Sequence, residues 1–243
     1  MSERVEFRNS RGLKLVGILE QAKTDKIIVM AHGFTSSKDR PKFVKTAEAL
    51  RNAGFAVLRF DFPGSGESDT EAITVAGQVD DLKSAIKFAR GKGYSKIGLI
   101  GSSLGGLDCI LAYDEDIKTI VLLAPVTAAK TPDEFKDPQK RQKLIQQGYA
   151  TVVNQGKEFR IEKEYLHERE TVQQEKILSK IKCPVLIIHG DKDDVVPLEH
   201  SKNALKYLPT SSKLEIFKDG GHRLEEDLEK LSTIITNWFK EHF

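Results

Sequence analysis

Residues 96–114 read KIGLIGSSLGGLDCILAYD. An apolar run of strand length, 96–100, ends in a knot of glycine and serine and passes directly into a helical pattern at 104–113. Inside the knot, Gly101-Ser102-Ser103-Leu104-Gly105 fits G-x-S-x-G. Of its two serines, only Ser103 has glycine two positions away on both sides. A residue at the tip of a sharp strand-to-helix turn sits in strained backbone, and the residues two before and two after it are pressed together. A Cβ at either place would clash, so glycine is required. The turn exposes Ser103 as a candidate nucleophile, and the free N–H groups of the helix opening at Leu104 face it. Ser102 is read as a turn serine.

Outward from this knot, short β-rich runs alternate with helical patterns. That alternation predicts an α/β fold with a mostly parallel central sheet and helices on both faces. Runs 5–8 and 13–20 read as an opening antiparallel hairpin. Strands are expected at 26–31, 55–60, 96–100, 118–124, 184–189 and 213–217. Helices are expected at 42–52, 75–90, 104–113, 198–207 and 224–239. The chain reads as one domain, 1–243, with one break in rhythm. Residues 126–182 are polar, charged and helical in pattern, far longer than the usual connection of about 2–6 residues. They are read as a helical cap insertion over the strand ends, where sites of open α/β sheets lie.

The 243 residues are 39% hydrophobic and 30% charged, with a formal net charge of +2. That composition fits a globular domain and gives no electrostatic reason to expect nucleic acid as a partner. No apolar run approaches the roughly 20 residues of a membrane helix. The polar start, MSERVEFRNSRG, shows no apolar signal core. Two cysteines, Cys109 and Cys183, give neither a disulfide framework nor a zinc spacing. A cytoplasmic protein without membrane or nucleic-acid partners is expected. Its oligomeric state is open.

With these motifs in place, the whole chain resembles the α/β-hydrolase superfamily, whose triad runs serine, acid, histidine along the chain. The resemblance implies an acid in "IIHGDKDDVVP", 187–197, similar to an H-G-x-x-D-x-x-V-P loop, at Asp193. Asp191 and Asp194 remain rivals. It also implies a histidine in "DGGHRLEE", 219–226, at His222. The turn in "VMAHGFTSSKD", 29–39, resembles the family's H-G-x turn, which implies oxyanion donors at the N–H groups of Phe34 and Leu104. "LRFDFPGSGESD", 58–69, resembles the glycine-rich loop beside such sites. Asp61, Gly64 and Gly66 would fold it without taking part in chemistry. Asp108 is read as a helix-surface or packing residue. His167, His189, His200 and His242 are read as structural or surface residues.

The combined motifs most resemble compact prokaryotic carboxylesterases, including the cinnamoyl and feruloyl esterase group. They imply an acyl-enzyme reaction on a small ester, with no metal or cofactor. A hydrolase of another bond (a peptidase, thioesterase or carbon–carbon bond hydrolase) and a catalytically silent binding protein are the competing readings. Of the insertion's aromatics Phe135, Tyr149, Phe159 and Tyr165, the last three are read as pocket residues. The alternative is that they pack the insertion onto the body.

Overall fold

The computed structural model describes residues 2–243. Its eight-stranded sheet is built from β1 (Ser2–Arg8), β2 (Lys14–Glu20), β3 (Lys26–Ala31), β4 (Ala56–Phe60), β5 (Lys96–Ser102), β6 (Ile117–Leu123), β9 (Val185–Gly190) and β10 (Lys213–Phe217). The spatial order is β1-β2-β4-β3-β5-β6-β9-β10. Only β1 and β2 run antiparallel to their neighbours. The parallel strands read as continuous apolar runs because both faces are covered.

One face carries α1 (Pro41–Asn52) and α8 (Leu228–His242). Phe43, Ala47 and Leu50 recur at helical spacing and bury against Ile28, Met30 and Ile100, beside Leu231, Ile235 and Phe239 of α8. The other face carries α2 (Val75–Gly91) and α3 (Leu104–Ala112), which bury Leu82, Ile86, Cys109 and Ile110 against Val29, Leu99 and Leu122. Asp108 faces inward and is fully buried. Burial, with Asp81 nearby, pushes its carboxyl well above the usual carboxylate range. Of the two readings of this residue, the helix surface is thus excluded.

The strand order places the site. From β3 the chain goes out through α1 to β4 on one side, then returns through α2 to β5 on the other. The carboxyl ends of β3 and β5 thus flank the point where the winding reverses, the crevice in which open α/β sheets bind ligands. Ala31 pairs with Gly101 there. The loops holding His32–Phe34 and Ser103 leave from these adjacent ends.

Residues 126–182 are not wholly helical. They hold α4 (Pro138–Gln147), an antiparallel hairpin of β7 (Tyr149–Asn154) and β8 (Lys157–Glu162), α5 (Lys163–Glu170) and α6 (Gln174–Leu178). The hairpin turns at Gln155 and Gly156, both at positive φ (50° and 76°), as a two-residue primed turn requires. Its strands alternate exposed and shielded residues. β7 carries no charge, but it is only six residues long, and in β8 four charged residues surround Phe159 and Ile161, so the alternation is short and easily read as a charged helix. The last helix also starts later than expected, at Leu228. Leu224 stands at φ 54°, outside helical geometry, and the Asp227 side chain caps the helix through the Lys230 N–H. α7 (Leu198–Ala204) ends in a 3₁₀ turn at Leu205–Tyr207. Among the described residues, no helix is long and apolar enough to cross a membrane.

The insertion is pinned to the body by its own core. Phe135, Leu144, Phe159, Ile161, Tyr165 and Leu166 pack against Ile73, Val75, Leu104 and Leu107. The Ile73 N–H donates to the Arg160 carbonyl (2.8 Å), and Glu168 accepts from the first-turn amides of Val75 and Ala76 in α2 (2.6 and 3.1 Å). A carboxylate at a helix N-terminus is stabilised by the helix dipole.

Candidate active site

Ser103 has φ 55° and ψ −114°, outside the favoured regions for a side-chain-bearing residue. Strain of that kind costs on the order of 1–3 kcal/mol and persists only where the surroundings hold it. They do so through the Ser103 N–H bonded to the Leu123 carbonyl (2.8 Å) and the Ser103 carbonyl accepting from Gly106 and Val126 (3.0 Å each). The flanking glycines are sterically required. A Cβ on Gly101 would stand 2.3 Å from the Gly105 carbonyl oxygen, and one on Gly105 2.4 Å from that of Ala31.

Ser103 Oγ lies 2.9 Å from His222 Nε2, and His222 Nδ1 lies 2.8 Å from Asp193 Oδ2. A carboxylate can only accept, so Nδ1 carries the proton and Nε2 is left to accept from the Ser103 hydroxyl. The Asp193 side chain is fully shielded. Its Oδ1 accepts from the Val195 and Val196 amides (2.9 and 2.8 Å). Its Oδ2 also lies 3.1 Å from His189 Nε2. Burial opposes ionisation of this carboxyl, but the hydrogen bonds from His189, His222 and the Val196 amide outweigh it and hold it well below the usual carboxylate range. Asp191 and Asp194 are exposed, with Asp194 at the rim of the cleft.

His189 is the residue that sequence reasoning set aside. It ends β9, fully buried, with Nδ1 2.7 Å from Ser201 Oγ and Nε2 shared between the Val196 carbonyl (2.9 Å) and Asp193. The available signal was its position four residues before the acid, on the turn that leaves the strand.

The two main-chain amides singled out in the sequence are fixed from behind. In a trans peptide the C=O and the following N–H point in opposite directions. The Gly33 carbonyl accepts from His32 Nδ1 (2.8 Å) and the Ser36 N–H (3.2 Å), which turns the Phe34 N–H the other way. Burial pushes the His32 imidazole down, and with Nδ1 donating to a carbonyl its Nε2 accepts the Phe62 N–H (3.1 Å). The Ser103 carbonyl, held by Gly106 and Val126, does the same for the Leu104 N–H. Neither amide donates to a protein acceptor among the described residues. Behind them, fully buried Asp61 ties the two flanking loops, accepting from the Lys38 amide and ammonium (2.8 Å each) and from the Glu67 N–H (3.2 Å).

A cleft of about 820 Å³ opens over Ser103. One side is walled by Phe34 and by Asn154, Gln155, Lys157 and Phe159 of the insertion's hairpin. The hairpin is tied down there: Asn154 Nδ2 donates to the Thr35 hydroxyl (2.8 Å). The other side runs toward α1 and is lined by Ser36, Ser37, Arg40, Lys42, Phe43 and Ser102. Of the three expected pocket aromatics, only Phe159 lines the cleft. Tyr149 is exposed, with the Arg160 guanidinium 4.1 Å from its ring centroid, because the alternation of β7 turns it outward. Tyr165 is buried behind the wall, stacked on Phe34 at 5.3 Å between centroids.

The pattern of the hydrolase family described as serine aminopeptidase, S33, matches residues 22–178. The chain belongs to that family and is an α/β hydrolase. Residues 165–239, which hold Asp193 and His222, match a second such family, phospholipase/carboxylesterase. A mouse protein named palmitoyl-protein thioesterase ABHD10, mitochondrial, is 27% identical over 232 residues, covering 86% of this chain and 77% of its own. The α/β hydrolase GrgF from Penicillium sp. sh18 superposes with a TM-score of 0.84 at 20% identity, covering 100% and 99% of the two chains. Est1E from Butyrivibrio proteoclasticus, solved with ferulic acid bound, superposes with a TM-score of 0.83 at 24% identity, covering 98% of each. At these identities the structural likenesses speak for the fold.

Proposed function

We propose that this hydrolase is a serine carboxylesterase acting through Ser103, His222 and Asp193. The observation that carries the reading is the hydrogen-bonded chain from Ser103 Oγ through the imidazole to a shielded carboxylate. A serine hydroxyl is a weak nucleophile until a base takes its proton. His222 Nε2 accepts that proton as Oγ bonds to the ester carbonyl carbon, and the carbonyl electron pair moves onto oxygen. Asp193 holds the imidazole in the tautomer that can accept, and stabilises it once charged. The Phe34 and Leu104 amides receive the oxyanion. By comparison with other serine hydrolases, each such donor is worth about 3–4 kcal/mol of barrier. The intermediate collapses, the carbon–alkoxide bond breaks, and His222 Nε2–H protonates the leaving oxygen. Water then attacks the Ser103 ester with His222 as base, releasing the acid and restoring the serine.

In this reading, residues 126–182 form a cap whose hairpin is one wall of the substrate cleft. The buried, unpaired thiols of Cys109 and Cys183 fit a reducing compartment, and we place the protein in the cytoplasm.

Thioester cleavage is the second reading, favoured by the likeness to the mouse thioesterase over most of the chain. The decisive experiment compares matched butyryl substrates: the 4-nitrophenyl ester, the coenzyme A thioester and the 4-nitroanilide. Esterase function predicts the highest kcat/KM on the oxygen ester. A tenfold preference for the thioester would install the second reading, and no turnover of any substrate by folded protein would remove both.

A further inference from the structure

The α1 side of the cleft contains a charge for which the hydrolytic reaction has no use. Lys42, in the first turn of α1, is a buried residue whose Nζ donates to Ser102 Oγ (2.8 Å) and to the Arg223 carbonyl (2.9 Å). An ammonium has three donors, so one remains. Ser102, having accepted from Lys42, has its own hydroxyl proton to give, and among the described residues no acceptor takes either. Among the described residues no carboxylate lies within 4 Å of Lys42 Nζ. Glu225 spends Oε2 on Arg40 (2.7 Å), and its Oε1 is buried without a partner. A buried ammonium without a counter-ion is costly. Burial pushes Lys42 down to about 8, with Glu225 and Asp193 raising it and Arg40 and Arg223 lowering it, so it stays mostly protonated at neutral pH.

We propose that Lys42 and Ser102 form an anion subsite beside the nucleophile, for an ester that carries a carboxylate a few bonds from its scissile carbonyl. Four things support it. Two groups with an unspent donor each sit side by side in a shielded place, Lys42 Nζ 2.8 Å from Ser102 Oγ, and a carboxylate oxygen can accept from both at once. The place lines the same cleft as Ser103, and Ser102 and Ser103 are consecutive, their Cα atoms about 3.8 Å apart. A charged group seated there therefore belongs to a short substrate arm. Exposed Arg223 also lines the cleft and attracts anions, against the carboxylates of Glu134, Asp194 and Glu226 on the same lining. The hydroxyls of Ser36 and Ser37 make the lobe suited to a polar arm rather than an alkyl chain.

The subsite rests on the esterase reading for its kinetic consequence, and its test has two arms. In the first, kcat/KM is measured for monomethyl glutarate against its neutral primary-amide counterpart, and for the acetyl ester of 3-hydroxypropionate against its amide. The pairs place the charge on the acyl and on the alcohol arm. In wild-type protein the acid member of at least one pair is expected to exceed its amide at least tenfold. In Lys42→Met the ratio falls to within about twofold, and Lys42→Arg keeps part of it. Equal or inverted ratios in both wild-type pairs, which need no variant to fold, overturn the proposal. So does a ratio that survives in Lys42→Met.

The second arm measures binding of 3-phenylpropionate and 3-phenylpropionamide to Ser103→Ala protein by calorimetry. Tighter binding of the acid, lost when Lys42→Met is added, supports the subsite even if no ester is cleaved, in which case the esterase reading alone fails. Equal binding of acid and amide overturns the subsite whether or not esters are cleaved.

Discussion

His189 Nε2 and His222 Nδ1 converge on one oxygen, Asp193 Oδ2, at 3.1 and 2.8 Å. The carboxylate thus has an imidazole in front that faces the serine and an imidazole behind that faces Ser201. His189 touches no reacting atom, and any effect it has on the reaction runs through Asp193. His189→Ala is expected to lower kcat by about 10-fold with little change in KM, by analogy with the loss of a hydrogen-bond partner behind a metal-ligating side chain. It should also carry the acid limb of the pH–rate profile to higher pH, because an Asp193 carboxylate that no longer shares its charge with His189 favours the protonated imidazole of His222 more strongly. An unchanged profile in a variant that is merely less stable would assign His189 to packing alone.

The pH–rate profile of the wild-type enzyme should have an acid limb of unit slope. The imidazole must be neutral to accept the serine proton, so kcat/KM falls as His222 takes one up. Asp193 is held ionised well below the usual carboxylate range and stays charged throughout that limb. One proton is therefore counted. A slope of two in a plot of log kcat/KM against pH would show the carboxylate titrating together with the base.

Ser103→Ala and Ser103→Gly should both abolish ester hydrolysis but differ in stability. Alanine keeps the Cβ in backbone at φ 55°, whereas glycine has no Cβ to strain. The glycine variant is expected to be the more stable by about 1 kcal/mol, within the 1–3 kcal/mol stored at such positions. Urea unfolding of the two proteins provides the comparison, and equal midpoints would mean that the turn stores no such strain.

Lys42 links stability to alkaline pH. Its folded value, about 8, lies below the ordinary 10.5. Between those values the unfolded chain binds more protons than the folded one, so unfolding free energy rises with pH. Relative to Lys42→Met, the wild type should gain up to about 3 kcal/mol from pH 7 to pH 10.5, at about 1.4 kcal/mol per unit. A stability difference that stays constant across that window would contradict the buried, unneutralised ammonium.

The insertion's aromatics should separate by function. Phe159 lines the cleft, so Phe159→Ala should change the ratio of kcat/KM between a bulky aromatic ester and an acetyl ester by about tenfold. Tyr149→Ala should leave that ratio unchanged, since the ring faces outward. Tyr165→Ala removes the ring stacked on Phe34 and should lower stability by about 3 kcal/mol or more. If Tyr149→Ala altered the ratio as much as Phe159→Ala, the hairpin would sit differently over the cleft in solution.

The alternation of strands and helices was legible in the sequence because the parallel strands are buried on both faces and announce themselves as unbroken apolar runs, as in Lys26–Ala31 and Val185–Gly190. Ser103 could be singled out because its turn needs glycine at two fixed offsets. The hairpin of β7 and β8 was not legible. β7, Tyr-Ala-Thr-Val-Val-Asn, is uncharged and β-branched but only six residues long between charged stretches, and β8, Lys-Glu-Phe-Arg-Ile-Glu, has a composition that suits a charged helix equally. His189 was missed for a different reason. Its importance comes from what its ring reaches after β9 turns, and composition carries no trace of that. Tyr149 and Tyr165 were expected in the pocket because aromatics in a charged stretch must go somewhere. One strand's alternation sent the first outward, and the core beneath the insertion took the second.

The Phe34 and Leu104 amides belong to the main chain, and each is oriented by the carbonyl behind it. Inheritance therefore weighs unevenly on the two halves of this site. A single-codon change can erase Ser103, His222 or Asp193, but no codon encodes the loss of an amide other than one specifying proline. Drift would reach this half only indirectly, through His32 or the glycines that shape the turns. A descendant that had lost Ser103, His222 or Asp193 could thus keep both amides free and aimed as they are now, long after those side chains had decayed.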